Sequence, residues 1–387
     1  MKLPFKYNAK SLFVRRGNTL MTVGSIALVV LVYIGVLGMA AGLSNSLRQS
    51  GDALNVIVLR EGARSETESA FDRERQRLVE SLPGAATGSD GAPLVSSELV
   101  TLQIFPRADG KESNVALRGM GVQGPALRAG FRLVQGTMFH PGVGEVIVGD
   151  RLAQRFPGLA MGEEVNFGRL RFRVVGTFRT GGSFDSEVWG AMEDFGNAFR
   201  REDVSAVLLR AATPEGADAL IARVQGEQRL RLQAKRETEY YADQTTATAT
   251  QFIALGTALA VLMALGACFA AANTMYAHVA ARAQEIGTLR ALGFRRRNIL
   301  GAFLTEAALL GLVAGAAGVL LALPLNGLTT GTTNFVTFSE LSFTLRTTPS
   351  VLAIGVLLAL ATAVLGGFPP ALAAARRPIT ALLRESG

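Results

Sequence analysis

Residue types that carry chemistry are scarce in this chain: one cysteine, two histidines and one tryptophan among 387 residues. Cys268 stands alone inside an apolar run, which excludes an internal disulfide framework and a cysteine-based metal site. His140 and His278 are too few and too separated for a histidine cluster. Each reads as an ordinary surface or interfacial residue, and no metal site is expected. The lysines are Lys2, Lys6, Lys10, Lys111 and Lys235, and none stands in a G-x-x-x-x-G-K-[ST] context. Lys111 follows Gly110 but precedes Glu112, so it lacks both the hydroxyl and the first glycine. H-E-x-x-H and G-x-S-x-G are absent as well. No catalytic residue and no bound cofactor follow, so any nucleotide energy has to be spent on another chain.

Apolar residues are abundant, at 49%, and the formal charge is +8. Located along the chain, that charge is not a nucleic-acid footprint. Residues 43–243 carry 25 basic and 27 acidic residues, a net of about −2. The excess sits in three short pieces. These are Lys2, Lys6, Lys10, Arg15 and Arg16; Arg282, Arg290 and Arg295–Arg297 against Glu285; and Arg376, Arg377 and Arg384 against Glu385. Each borders an apolar run, where basic residues set membrane topology, and no nucleic-acid partner is expected.

Residues 20–42 hold no charge and are long enough to cross a bilayer core. A basic start before an apolar run also describes a secretory signal. This run exceeds the roughly 7–15 apolar residues of a signal, so a retained helix is expected. Gly38 and Gly42 form a small-xxx-small pair that permits close helix packing. Three further spans are expected at residues 252–280, 302–325 and 351–375. The polar stretch before the first of these has little to break a helix, so residues 246–280 read as a stalk continuing into a span. The next, within 301–326, carries Gly311, Gly315 and Gly318 on one side and one acid, Glu306, near its basic entrance. A carboxylate is expensive in lipid, so Glu306 should face protein or the interface, as a structural hydrogen-bonding group rather than a transport residue. Pro324 and the pair Pro369-Pro370 read as helix terminators. With one carboxylate in four spans and no inverted repeat, a proton relay of the secondary-transporter kind is not supported.

The basic segment 1–19, the loop 281–300 and the tail 376–387 are expected on the cytoplasmic side. The loop 327–350 balances Glu340 against Arg346 and belongs outside. Four spans with both ends inside satisfy these assignments and leave residues 43–245 on the outer face. That segment reads as a folded α+β domain. Strands are expected at 55–60, 99–105, 114–118, 144–149, 164–167, 169–175, 176–178 and 204–210, with turns at Gly168 and Gly176 and helices at 65–82, 150–156 and 214–225. A β-rich module at about 115–200 reads as an insertion into the α+β unit. The alternation Arg169, Arg171, Arg173 places arginine on one strand face, expected to be solvated.

The stretch 281–300, ARAQEIGTLRALGFRRRNIL, is the most informative. Ile286, Leu289 and Leu292/Gly293 recur at helical spacing and would share one face, with Glu285 and Arg290 off it. On charge alone this is either a topogenic loop or a specific surface. The run Arg282-x-x-Glu285-Ile286-Gly287-x-Leu289-Arg290-Ala291-Leu292-Gly293 is followed by Ile299, Phe303-Leu304-x-Glu306-Ala307 and the three glycines. Together they resemble the signature of the FtsX/MacB-type permease family, the membrane subunits of type VII ABC systems. The tail Ala374-Ala375-Arg376-Arg377-Pro378-Ile379-x-Ala381-Leu382-Leu383-Arg384 resembles the family's closing motif, with Thr380 where a glutamate is usual. Residues 144–156, 161–165 and 172–176 resemble the periplasmic core domain of macrolide-exporter-type permeases.

The resemblance implies an α-helical membrane protein with four transmembrane helices and a large α+β extracytoplasmic domain between the first two. It implies a permease of the bacterial inner membrane without a fused ATPase. Two copies of an ABC ATPase would hold ATP and Mg, beside a second permease copy, identical or related, and a periplasmic adaptor. The family's coupling helix falls on residues 281–292, which carries the docking role to Arg282, Glu285, Ile286, Gly287, Leu289, Arg290 and Gly293. Efflux by mechanotransmission is the first expectation. Lipoprotein release and control of cell-wall hydrolases are alternatives within the family. A membrane-anchored sensor or binding protein without an ATPase is the alternative outside it.

Overall fold

The computed structural model describes residues 16–377, apart from residues 89 and 335. Lys2, Lys6, Lys10, Arg15 and the closing stretch 378–387, with Thr380 and Arg384, lie outside the described residues. In chain order, α1 (Arg16–Arg48) leads to β1 (Asn55–Arg60), α2 (Arg73–Glu80), β2 (Val95–Pro106), β3 (Glu112–Met120), β4 (Arg132–Gly136) and β5 (Glu145–Gly149). Next come α3 (Asp150–Arg155), β6 (Glu164–Phe167), β7 (Leu170–Arg179), β8 (Glu187–Ala191), α4 (Met192–Phe199), β9 (Ala206–Arg210), α5 (Pro214–Gly226) and β10 (Leu232–Arg236). The chain closes with α6 (Glu237–Ala281), α7 (Ala283–Ala291), α8 (Arg296–Ala322), β11 (Thr329–Thr333), β12 (Glu340–Thr344) and α9 (Pro349–Arg376). Two compact units result. One holds the apolar helices; the other holds residues 42–250 together with 329–344.

In the helical unit, α1, α6, α8 and α9 are each long and apolar enough to cross a membrane. Their contact surfaces are made of small residues. A Cβ on Gly311 or Gly315 would meet α9 at Ala363 and Ala359 (2.9 and 3.2 Å), and one on Gly318 would meet Val30 of α1 at 2.6 Å. In a bilayer no hydrophobic drive holds helices together, so such close approach, which gains dispersion contacts, is what fixes the bundle. The three glycines therefore serve two neighbours rather than one. Gly38 contacts no helix at this distance: its nearest neighbour is the Arg346 carbonyl, at 3.5 Å, in the segment that leads into α9. Proline does not end α9, which runs through Pro369 and Pro370 to Arg376. Buried Ala371, Ala374 and Ala375 pack that last stretch against its neighbours, and proline is tolerated where surrounding helices support the freed backbone groups.

α6 has 45 residues, about 68 Å at 1.5 Å per residue. This is roughly twice a ~30 Å hydrocarbon core. Only 17% of its most apolar window is buried within the chain, against 50% for α1, so most of its flank is left for lipid or another chain.

The other unit is built on one ten-stranded sheet in the order β10-β1-β9-β2-β3-β8-β5-β7-β4, with β6 paired to β7. β1 (NVIVLR) lies between β9 and β10 and is buried on both faces up to Arg60, which is why it reads as a continuous apolar run. β7 alternates, burying Phe172 and Val174 while Arg171 and Arg173 face solvent. The expected module at 115–200 is not set apart. β3 pairs antiparallel with β2 over nine positions and parallel with β8, so the sheet runs through without a break. A ring cluster of Phe167, Phe172 and Phe195, with centroids 5.2–5.7 Å apart, belongs to the same core as Val56 and Val207. The helix expected at 65–82 is confined to α2, because the Asp72 carboxylate caps it by accepting from the Arg75 N–H. Upstream, Phe71 bridges to Val204 instead.

The outer loop also departs from its sequence reading. Residues 329–344 form the β11–β12 hairpin and belong to the sheet unit. Leu341 and Phe343 are buried, and Glu340 pairs with Arg155 and with Arg107 (3.5 Å). Gly42 belongs here too: it lies directly against the Thr344 carbonyl, where a side chain has no room.

Candidate functional site

α6 ends at Ala281, and Arg282 takes a non-helical conformation (φ −114°, ψ 19°) before the chain resumes as α7. Gly293, at φ +91°, stops α7. There the Phe294 N–H reaches back to the Leu289 carbonyl (3.1 Å) and the Gly293 N–H to that of Arg290 (3.2 Å). Only glycine adopts this left-handed step without strain, so its place in the sequence sets the helix length. Ala283, Ile286 and Gly287 are buried, and Leu289 is half-buried against the cluster that includes Met275, Ile299 and Phe303. Leu292, read as sharing the Ile286 face, is instead 73% exposed, since the Gly293 stop turns the chain away at that point. Gln284, Glu285, Thr288 and Leu292 form the outward side. Arg290 is half-buried, with an Nε that meets no hydrogen-bond partner among the described residues.

Glu306 organises the base of this helix. It is fully buried on α8 and accepts from Arg282 Nη1 at 3.2 Å, while its other oxygen faces His278 Nδ1 on α6 at 2.9 Å. Arg282 also donates from Nε to Glu285 at 3.1 Å and lies over the Phe303 ring at 5.8 Å. One carboxylate therefore ties the end of α6, the entry to α7 and the first turns of α8. Glu306 faces protein, as the cost of an ion in lipid requires. His278 is not an interfacial residue but 5% exposed and committed to Glu306. The seven positions singled out in the loop thus divide. Ile286, Gly287 and Leu289 pack inward, Arg282 and Gly293 fix the two ends, Arg290 is half-buried and Glu285 lies at the surface.

A second polar centre lies inside the sheet unit and carries no sequence motif. Arg118 on β3 is 1% exposed and donates to three carboxylates: Glu66 (2.5 Å), Glu98 (2.6 Å) and, with two nitrogens, Glu187 (2.7 and 2.9 Å). Arg128 continues the network to Glu98 and to Glu237 (2.6 Å), the first residue of α6. Asn55 Nδ2 and the Asp52 N–H donate to the other Glu237 oxygen at 2.8 and 3.0 Å. Both guanidinium groups lie over the Phe184 ring, Arg118 at 5.2 Å and Arg128 at 4.7 Å from its centroid. Beside it is a cavity of about 30 Å³ lined by Glu66, Arg118, Glu187, Gln244 and Asn334, room for a water or two. Among the described residues no group of histidine, cysteine or carboxylate ligands could hold a metal ion.

Burial alone would raise the Glu66 carboxyl, but the charge and hydrogen bonds of Arg118, with Arg128 behind it, hold it below its ordinary value. Burial likewise works against the Arg118 charge, and the three surrounding carboxylates override it, raising the guanidinium pKa well above normal. A depressed carboxyl stabilises the fold fully above its unfolded pKa and loses that contribution as pH falls through the folded value. The Glu66 contribution is therefore expected to be constant down to about pH 4.3, the ordinary glutamate value, and to be lost below it. In Glu66→Gln that acid limb flattens. Thermal melts between pH 3 and 7 check this; equal acid slopes in both proteins would contradict it.

Two family models match the chain. The FtsX-like permease C-terminal model covers residues 257–379, and the MacB-like periplasmic core domain model covers residues 19–227. The chain is 25% identical over 382 residues to the macrolide export ATP-binding/permease protein MacB of Bordetella avium, covering 86% of this chain and 55% of that protein. It is 37% identical over 137 residues to the pyoverdine export ATP-binding/permease protein PvdT of Pseudomonas syringae pv. tomato, covering 35% and 19%. Among solved structures, the extracellular domain of the ABC-type transporter YknZ from Gram-positive bacteria aligns with 15% identity and a TM-score of 0.36, over 47% of this chain and 99% of that one. The periplasmic region of MacB from Actinobacillus actinomycetemcomitans aligns with 11% identity and a TM-score of 0.38, over 50% and 92%. The chain spans little more than half the length of the Bordetella protein.

Proposed function

Because this chain belongs to the FtsX-like permeases that carry a MacB-like periplasmic core domain, we propose that it is the membrane subunit of an ABC-type exporter. ATP hydrolysis on a partner subunit would drive conformational work on the periplasmic side. The names of the relatives join an ATP-binding part to a permease part. The 387 residues here contain no phosphate-binding loop; this reading puts ATP and Mg on an ATP-binding partner. Two ATPase copies would serve two permeases, the second identical to this chain or related to it. The termini and α7 lie in the cytoplasm and the sheet unit in the periplasm, where an adaptor receives the exported molecule. Export ranks first because both relatives are named for it.

The observation that carries the reading is the way α7 is held. Its apolar side is used up inside the chain and its base is fixed by Glu306, while Glu285, Thr288 and Leu292 face outward. A short helix fixed at both ends suits rigid docking, because little ordering entropy remains to be lost on binding. α6, continuous from α7's base to Glu237, would carry the motion outward. In affinity capture from native membranes, the wild-type chain is expected to retain its ATPase. Glu285→Lys and Leu292→Asp should each reduce that retention at least tenfold with no change in melting temperature. Full retention by both variants would rule out α7 as the docking element.

A further inference from the structure

A turn of four residues, Ser183–Ser186, lies between β7 and β8, and all four are buried, which is unusual for a connection. Asp185 holds its shape from within: the carboxylate accepts from the Thr180 hydroxyl (2.9 Å) and the Gly181 N–H (3.2 Å). The other three side chains reach outward, each to a different segment. Ser50, just past α1, gives its hydroxyl proton to the Ser46 carbonyl at 3.0 Å. Its oxygen then accepts from both the N–H and the hydroxyl of Ser183, each at 2.7 Å. Phe184 meets Tyr241, in the first turns of α6, edge-to-face at 5.8 Å. Ser186 Oγ accepts from the Ser342 N–H in β12 at 2.8 Å.

These three segments are the points where the chain passes between the sheet unit and the apolar helices: after α1, into α6, and between α8 and α9. On its other side the turn leads straight into β8 in the middle of the sheet, and the Phe184 ring packs under both Arg118 and Arg128. We propose that Ser183–Ser186 is the joint through which displacement of the membrane-crossing helices acts on the sheet unit, with Ser183, Phe184 and Ser186 as its positioning residues. This rests on the ATP-driven reading above. Three inputs converge on one short buried turn, and its output is the central strand and the ion cluster. Separate docking of each segment would leave their motions independent; a shared turn makes them one.

The chain contains a single tryptophan. Trp189 is fully buried on β8, 5.7 Å from the Phe184 ring and donating to Glu187 at 2.8 Å. Incorporated as 5-fluorotryptophan, it gives one 19F resonance beside the joint. With the labelled chain in nanodiscs and an unlabelled ATPase, a non-hydrolysable ATP analogue is expected to shift that resonance. Ser50→Ala with Ser186→Ala should still capture the ATPase but show a nucleotide-dependent shift reduced at least threefold. Because Ser50 and Ser183 hydroxyls touch, cysteines at both positions lie within reach of a disulfide. In Ser50→Cys/Ser183→Cys the shift should be small when reduced and return on oxidation, which excludes misfolding as the cause. A full shift in the double alanine variant overturns the proposal. So does a wild-type chain that captures the ATPase yet shows no shift, and that result leaves the transporter reading standing. Failure of wild-type capture instead defeats both.

Discussion

Arg118→Ala is expected to cost the sheet unit about 5 kcal/mol or more of its unfolding free energy. Removing one partner of a buried ion pair typically costs about 3–5 kcal/mol, because the other charge stays buried and unpaired. Here one guanidinium serves Glu66, Glu98 and Glu187, and its side chain is 2% exposed. Arg128 reaches only Glu98 of those three. Domains of this kind are stable by about 5–15 kcal/mol, so the variant should be largely unfolded at 37 °C. Arg118→Lys keeps the charge but not the planar fork that binds Glu187 through two nitrogens. It should fall between wild type and alanine. Denaturation followed by the emission of Trp189 measures all three. A loss below about 1 kcal/mol for alanine would mean that water reaching the neighbouring cavity relieves the carboxylates, a result opposed to the burial described.

Glu306→Ala is expected to free α7 while leaving the protein inserted and the sheet unit folded. The substitution removes the acceptor shared by His278 and Arg282. Hydrogen bonds to a charged partner contribute about 1.5–3 kcal/mol each. Losing two therefore lowers the cost of opening α7 by at least about 3 kcal/mol, or roughly 100-fold in amide exchange at positions 283–291. ATPase capture should fall in parallel. Glu306→Gln retains an oxygen acceptor for one donor and should lose roughly half of the protection. Unchanged exchange in Glu306→Ala would show that the packing of Ile286 and Leu289 holds α7 without the ion pair.

Much of this architecture was legible from residue order. The uncharged run 20–42 and the later apolar stretches predicted the four long helices, since a bilayer imposes length and apolarity on any span. Glu306 was readable as protein-facing for the same reason. Its partners were not. His278 and Arg282 precede it by 28 and 24 positions, and no spacing rule for one helix connects residues on two. The stop at Gly293 was visible as a glycine, but the exposure of Leu292 was not, because helical periodicity carries a face past the point where the helix ends. Pro369-Pro370 misled in the other direction. A proline pair is a strong terminator in water, whereas packing through Ala371, Ala374 and Ala375 holds the backbone helical here.

Composition and local pattern predicted the parts of this protein that depend on solvent: four helices long and apolar enough to cross lipid, a folded α+β unit between the first two, and basic residues bordering the apolar runs. The polar centres were settled by folding alone. Arg118 of β3 meets Glu66, Glu98 and Glu187 from three other segments, and the separate hairpin at 329–344 packs into a unit whose main sheet ends about a hundred residues before it. Contacts of that kind follow from chain topology, which brings distant charges together and then excludes water from between them. Sequence spacing carries no record of such pairs, because any arginine and any glutamate could have supplied them.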